Sequence, residues 1–139
     1  MKYLYHGSGK KMEILEPRKP DDSDPSHSKK GVYATSSKKS ALGFSAIRST
    51  KTSAFRERKT GMMNVVSGKP DEKATVYLHV LDADDFSRNH KDEFIATKKI
   101  KPIRIEEYKV KDLGHLWRKS NKKELKEFLE DRENWRVPK

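Results

Sequence analysis

Thr75-Val-Tyr-Leu-His-Val-Leu81 decides the architecture, because it is rich in β-branched and aromatic residues and almost continuous in hydrophobicity. Such a run fits an interior strand covered on both faces, not one that alternates between core and water. Working outward, shorter stretches also have extended character. Lys2 to His6 sets Tyr3 and Tyr5 against Leu4 and stops at Gly7, which delivers His6 to a strand end. Gly31-Val-Tyr-Ala-Thr35 and Phe94 to Ala96 read as brief strands. In the extended stretch Ile100 to Val110, Ile103 and Ile105 alternate with charged neighbours, and Pro102 marks an edge or bulge. Asp82 to His90 turns away from the central strand.

Two helices are expected between and after these strands. Thr35 or Ser36 can cap the first by accepting from its free amides, and Ala41, Leu42, Phe44 and Ile47 share one face of it. Asn121-Lys-Lys-Glu124 resembles a capping box that opens a terminal helix over 121–135, with Leu125, Phe128, Leu129 and Arg132 at helical spacing. Pro17 to Lys30 holds three prolines, three aspartates, three serines and four basic residues without apolar periodicity, so an irregular surface loop is expected there. Residues 48–73 are polar and basic, carry Gly61, Gly68 and Pro70, and read as a second, mobile insertion. Elements of these lengths in 139 residues predict one α+β domain over 1–139.

Composition narrows the chemistry. Without cysteine, neither a disulfide framework nor a thiolate nucleophile or ligand is possible. No apolar run approaches the roughly 20 residues that cross a bilayer, and Gly7 breaks the N-terminal stretch before a signal-peptide core can form, so a cytoplasmic location is expected. Lys and Arg outnumber Asp and Glu by 32 to 21, a net charge of +11 that draws polyanions: nucleic acid, anionic protein surfaces or a dinucleotide pyrophosphate. The plainer alternative is that these lysines only keep the surface solvated. His27, His79, His90 and His115 lack ligand spacing, and Asp82-Ala-Asp-Asp85 lacks the glycine and distal glutamate of a calcium loop, so no metal is expected. No phosphate-cradling glycine motif and no Gly-x-Ser-x-Gly are present.

Three short segments place a chemically specific residue at a strand end: Tyr-His-Gly-Ser at 5–8, Gly-Val-Tyr at 31–33 and Asp-Glu-Phe at 92–94. Their order, with a helix after the tyrosine and a strand after the glutamate, resembles the catalytic core of the poly(ADP-ribose) polymerases and diphtheria-toxin-like ADP-ribosyltransferases. The likeness covers roughly 3–9, 30–47 and 74–110, and includes Phe44, eleven residues beyond Tyr33 where that family tends to place a second stacking aromatic. It implies an α+β ADP-ribosyltransferase-like fold of split mixed or antiparallel sheets with flanking short helices. It also implies NAD⁺ as co-substrate and transfer of single ADP-ribose units from a monomer to a macromolecular acceptor, nucleic acid being favoured over protein by the charge. Glu93, His6 and Tyr33 would be catalytic. His6 and Gly7 would position the adenosine-side ribose and the nicotinamide carboxamide, Ser8 or Ser40 would add a hydroxyl, and Tyr33 and Phe44 would stack on the nicotinamide. The loop at 17–30 would be the donor loop, with Arg18, Lys19 or Lys30 meeting the pyrophosphate.

Alternatives stand beside each assignment. Glu93 beside Lys91 and Asp92 fits an ordinary surface residue, His6 a structural histidine, and Tyr33 and especially Phe44 core packing. At the level of function they are a non-catalytic module on the same fold that binds nucleic acid or NAD-derived ligands, and a relative of the tRNA 2′-phosphotransferases. The second lacks that family's basic residues where Gly-Val-Tyr stands.

Overall fold

A computed structural model describes residues 2–18, 30–57, 60–90 and 93–132. It is an α+β fold with two sheets. Strand β1 is Tyr3–Ser8, β2 Val32–Thr35, β3 Ser53–Arg56, β4 Met63–Ser67, β5 Thr75–Asp82, β6 Ser87–His90, β7 Glu93–Ala96, β8 Arg104–Lys109 and β9 Trp117–Lys119. Helix α1 spans Lys38–Ile47 and α2 Lys122–Arg132. The larger sheet runs β6-β7-β2-β1-β5-β8 and every pairing in it is antiparallel. The smaller runs β3-β4-β9 and is mixed, β4 and β9 being parallel.

Strand β5 is interior, flanked by β1 and β8, and is buried on both faces as its composition requires. Leu78 packs with Val76 beneath α1, among Ala41, Leu42, Ala46, Val110, Leu113 and Leu116. Leu81 belongs to the opposite core with Leu4, Leu15, Val32, Ala34, Ala96 and Ile100. That second face is closed by two extended segments that cross the sheet and pair at one point: Leu15 and Ile100 exchange backbone hydrogen bonds of 2.8 and 2.9 Å. Ile100 therefore lies in a strap, and the regular strand starts only at Arg104, beyond Pro102.

Several local expectations need correction. β1 runs through Gly7 to Ser8, so His6 lies within the strand. This is allowed because glycine tolerates extended backbone and removes the side chain that would strike α1. A Cβ on Gly7 would lie 1.8 Å from Ser45 Oγ and 2.6 Å from the Ala41 carbonyl oxygen. The cap of α1 is Ser37, whose hydroxyl accepts from Ser40 N at 3.1 Å, while Thr35 Oγ1 accepts one step earlier, from Ser37 N. The stretch expected as an insertion over 48–73 contains regular structure: β3 and β4 pair as a hairpin, and Met63 and Val65 pack with Ile47 in a third core. The segment 82–90 ends in strand β6. At α2 the expected cap is present, Asn121 Oδ1 accepting from Glu124 N at 2.8 Å; the part of 121–135 beyond Arg132 lies outside the described residues, as do Lys19 and most of the expected donor loop.

Candidate active site

The central feature is an opening in the larger sheet. β1 pairs with β5 over six positions and β2 with β7 over four, but β1 and β2 share only Tyr5↔Thr35. From that point the two strands part, one toward Ser8 and the other toward Val32. His6 lies across the gap, with its Nδ1 2.7 Å from the carbonyl oxygen of Tyr33. A carbonyl only accepts, so Nδ1 carries the proton and Nε2 keeps its lone pair as an acceptor.

The charge state of His6 follows from its surroundings. Burial pushes its pKa below the ordinary 6.5. The Tyr33 carbonyl opposes this by favouring the charged ring, while His79, Arg48 and Arg18 add to the lowering. The imidazole is thus neutral near pH 7, a positioned acceptor for a hydroxyl. Its neighbour His79 stands edge-on at 5.9 Å between ring centroids and is fixed on both nitrogens. Nε2 accepts from Met12 N at 3.0 Å, so Nδ1 bears the proton donated to the His6 carbonyl at 3.1 Å.

Strand register places the other two groups. Tyr5, Thr35 and Glu93 form one cross-strand row, and Tyr33 pairs with Ile95 two positions along, in the next row of the same face. Directly paired residues share a face, so the Tyr33 and Glu93 side chains leave the same side of the sheet as diagonal neighbours, about 7–8 Å apart at their Cα atoms. Glu93 is the first residue of β7 and its Oε2 accepts from Asn89 Nδ2 at 2.9 Å. His6, Tyr33 and Glu93 therefore stand on three adjacent strands, His6 joined directly to the Tyr33 backbone; Tyr5 shares the face of Tyr33 and Glu93, so by alternation the His6 side chain starts from the opposite face, beside His79, and reaches the Tyr33 carbonyl at the gap.

Around this centre the remaining residues divide. Gly7 is where α1 crosses β1, and Ser45, whose hydroxyl is bonded to the Ala41 carbonyl at 2.8 Å, sits against it. Ser8 closes the strand, its Oγ accepting from Lys10 N at 3.1 Å. Phe44 is 38% exposed and does not belong to a buried cluster, which removes the core-packing explanation for this ring. The Arg48 guanidinium lies 5.7 Å from its centroid. Ser40 faces the interior, buried, and its Oγ has no hydrogen-bond partner among the described residues. Arg18 is held beside β2 by two backbone bonds of 2.9 Å to Gly31.

Arg48 and Asn89 are the residues that sequence reasoning missed. Arg48 follows α1 as its C-terminal cap, and together with Arg18 it brings positive charge to the imidazole. Its helical offset of four from Phe44 is the one signal that pointed to it. Two cavities of about 300 and 320 Å³ lie elsewhere, the first lined by Glu16, Lys30 and Lys99 and the second by Lys11, Lys101 and Arg104. The candidate site is thus the gap where β1 and β2 cease to pair. No protein-family model matches this chain, and neither does any curated protein or solved structure.

Proposed function

We propose that the chain is an NAD⁺-dependent ADP-ribosyltransferase that adds single ADP-ribose units to a macromolecular acceptor. One observation carries this: β1 and β2 cease to pair beyond Tyr5↔Thr35, a neutral imidazole bridges the gap to the Tyr33 backbone, and the tyrosine and carboxylate of the two adjoining strands leave one face beside it. In the reaction the bond between C1′ of the ribose and the pyridinium nitrogen breaks, and the electron pair leaves with neutral nicotinamide. An acceptor lone pair forms the new bond to C1′, and the acceptor proton passes to the carboxylate or to water.

Each group has a part that its geometry supports. His6 Nε2 accepts a sugar hydroxyl, and Tyr33 with the exposed Phe44 ring stacks on the nicotinamide. Glu93 places negative charge beside the ribose, where positive charge grows as the glycosidic bond lengthens. Arg18 and Arg48 offer guanidinium donors for the pyrophosphate. NAD⁺ fits the donor set at the cleft: a neutral acceptor, two aromatic rings, a carboxylate and two cations.

The test compares wild type, Glu93→Gln and His6→Ala for NAD⁺ consumption and for label transfer to lysate. Glu93→Gln is expected to lower transfer by about 100-fold or more, with NAD⁺ affinity within about two-fold, because it removes charge needed only in the transition state. Near-normal transfer by that variant would overturn the role of Glu93. The surplus of lysine over the strap segments favours a second reading, a nucleic-acid-binding module without turnover. That reading takes over if wild type binds nucleic acid but yields no labelled product.

A further inference from the structure

The β6–β7 hairpin contains an irregularity next to Glu93. Ser87 pairs with Ile95 and Arg88 with Phe94, but the next pair is His90↔Glu93. Between Arg88 and His90 the first strand therefore carries one residue more than its partner, and that residue is Asn89. Such a bulge bends the strand and re-aims a side chain. On one face of the hairpin the Arg88 guanidinium lies over the Phe94 ring, 6.0 Å from its centroid. Beside that pair, the Asn89 amide donates to Glu93 Oε2 at 2.9 Å.

We propose that Asn89 is the positioning residue for Glu93, the bulge serving to bring its side-chain amide onto the carboxylate. This rests on Glu93 acting beside the ribose. A carboxylate on the first residue of a strand can turn about its terminal torsion, and a hydrogen bond to one oxygen restricts that turn and sets the angle at which the group meets the sugar. Asparagine suits the task because its NH₂ can only donate and an ionised carboxylate can only accept. Aspartate at the same position would replace the donor by a like charge. Glutamine keeps the donor on a longer stem.

The experiment measures kcat and KM for NAD⁺ in wild type, Asn89→Ala, Asn89→Asp and Asn89→Gln. Ser87→Ala, which removes from the same strand a hydroxyl that donates to the Ile95 carbonyl at 3.5 Å and does not touch Glu93, serves as the control for general disturbance of the hairpin. A misplaced catalytic group loses roughly 10- to 100-fold in rate. Asn89→Ala is expected to lower kcat by that factor with KM within about two-fold, Asn89→Asp to lower it further, and Asn89→Gln to recover part of the loss. Ser87→Ala should match wild type. Independently of turnover, the Asn89 side-chain amide resonance should shift in Glu93→Gln. A kcat for Asn89→Ala within two-fold of wild type, a loss shared equally with Ser87→Ala, or an unmoved resonance overturns the proposal. Wild type without any transfer sinks the reading of Glu93 itself, and with it a positioning role; a resonance that still moves would then mark the contact as structural only.

Discussion

The two facing histidines show how much one proton decides in this chain. His79 is fully buried, accepts from Met12 through Nε2 and donates to His6 through Nδ1, so neither nitrogen has room for a second proton without losing a bond. Burial lowers its pKa from 6.5, with the His6 carbonyl opposing, and burial lowers that of His6 as well. A histidine harder to protonate when folded takes up its proton first in the unfolded chain. Its contribution to stability is therefore whole above pH 6.5 and declines as pH falls below that value. Urea midpoints should thus fall between pH 7.5 and 5, and imidazole resonances should titrate below 6.5; a midpoint unchanged over that interval would refute the buried neutral pair. Glu106 acts lower on the scale. Tyr108 OH at 2.7 Å, then Arg104 at 2.9 Å, hold its pKa to about 2, so its share is present above the ordinary 4.5 and is lost as pH falls from 4.5 toward 2. The two steps separate in pH.

At the scale of elements, the contact between α1 and β1 determines how the cleft is walled. Gly7 lets the helix approach until Ser45 and the Ala41 carbonyl fill the space a Cβ would need. Gly7→Ala should therefore push α1 outward and destabilise by about 1–3 kcal/mol, as overpacking does. Gly9→Ala is the control, because a Cβ added there would meet nothing within 4 Å, and it should be neutral or slightly stabilising. Equal melting temperatures for the two variants would mean that α1 does not seat on Gly7. The same elements show what the sequence made legible. β5 stood out because Val76, Leu78, Val80 and Leu81 belong to an almost continuous apolar and β-branched run, and α1 because Ala41, Leu42 and Ile47 recur with the helical period. β6 and β9 are short, and Ser87-Arg-Asn-His and Trp117-Arg-Lys carry almost no apolar pattern; their pairing with β7 and β4 creates them. The β3–β4 hairpin was hidden because Met62-Met63 and Val65-Val66 make only a short apolar patch in an otherwise polar and basic stretch. In the site, His6, Tyr33 and Glu93 were legible as residue types. The splayed strands, the bond from His6 to the Tyr33 backbone and the bulge at Asn89 are products of register, which no local spacing encodes.

Over the whole molecule the question is where a net charge of +11 is put to use. The straps that close the second face carry exposed Lys10, Lys11, Lys98, Lys99 and Lys101, with Ile14 and Ile103 among the exposed large hydrophobics. Some of this charge is matched locally: Lys98 faces Asp85 at 3.0 Å and Lys99 faces Glu16 at 3.6 Å. Lys10, Lys11 and Lys101 are the better candidates for phosphate contacts, and Lys11 and Lys101 line one cavity together. Removing any three lysines lowers net charge by the same amount, so location can be separated from total charge by comparing two triples. Lys10, Lys11 and Lys101 changed to alanine should weaken binding of a labelled single-stranded oligonucleotide. The salt dependence should also flatten, by a slope of about 2 if all three meet phosphates. Lys122, Lys123 and Lys126 changed to alanine remove equal charge from the exposed side of α2 and should change affinity far less. If both triples weaken binding equally, attraction is diffuse and the straps are no docking surface. If neither does, a nucleic-acid partner is rejected, because one held by phosphate contacts cannot be indifferent to the loss of three of them.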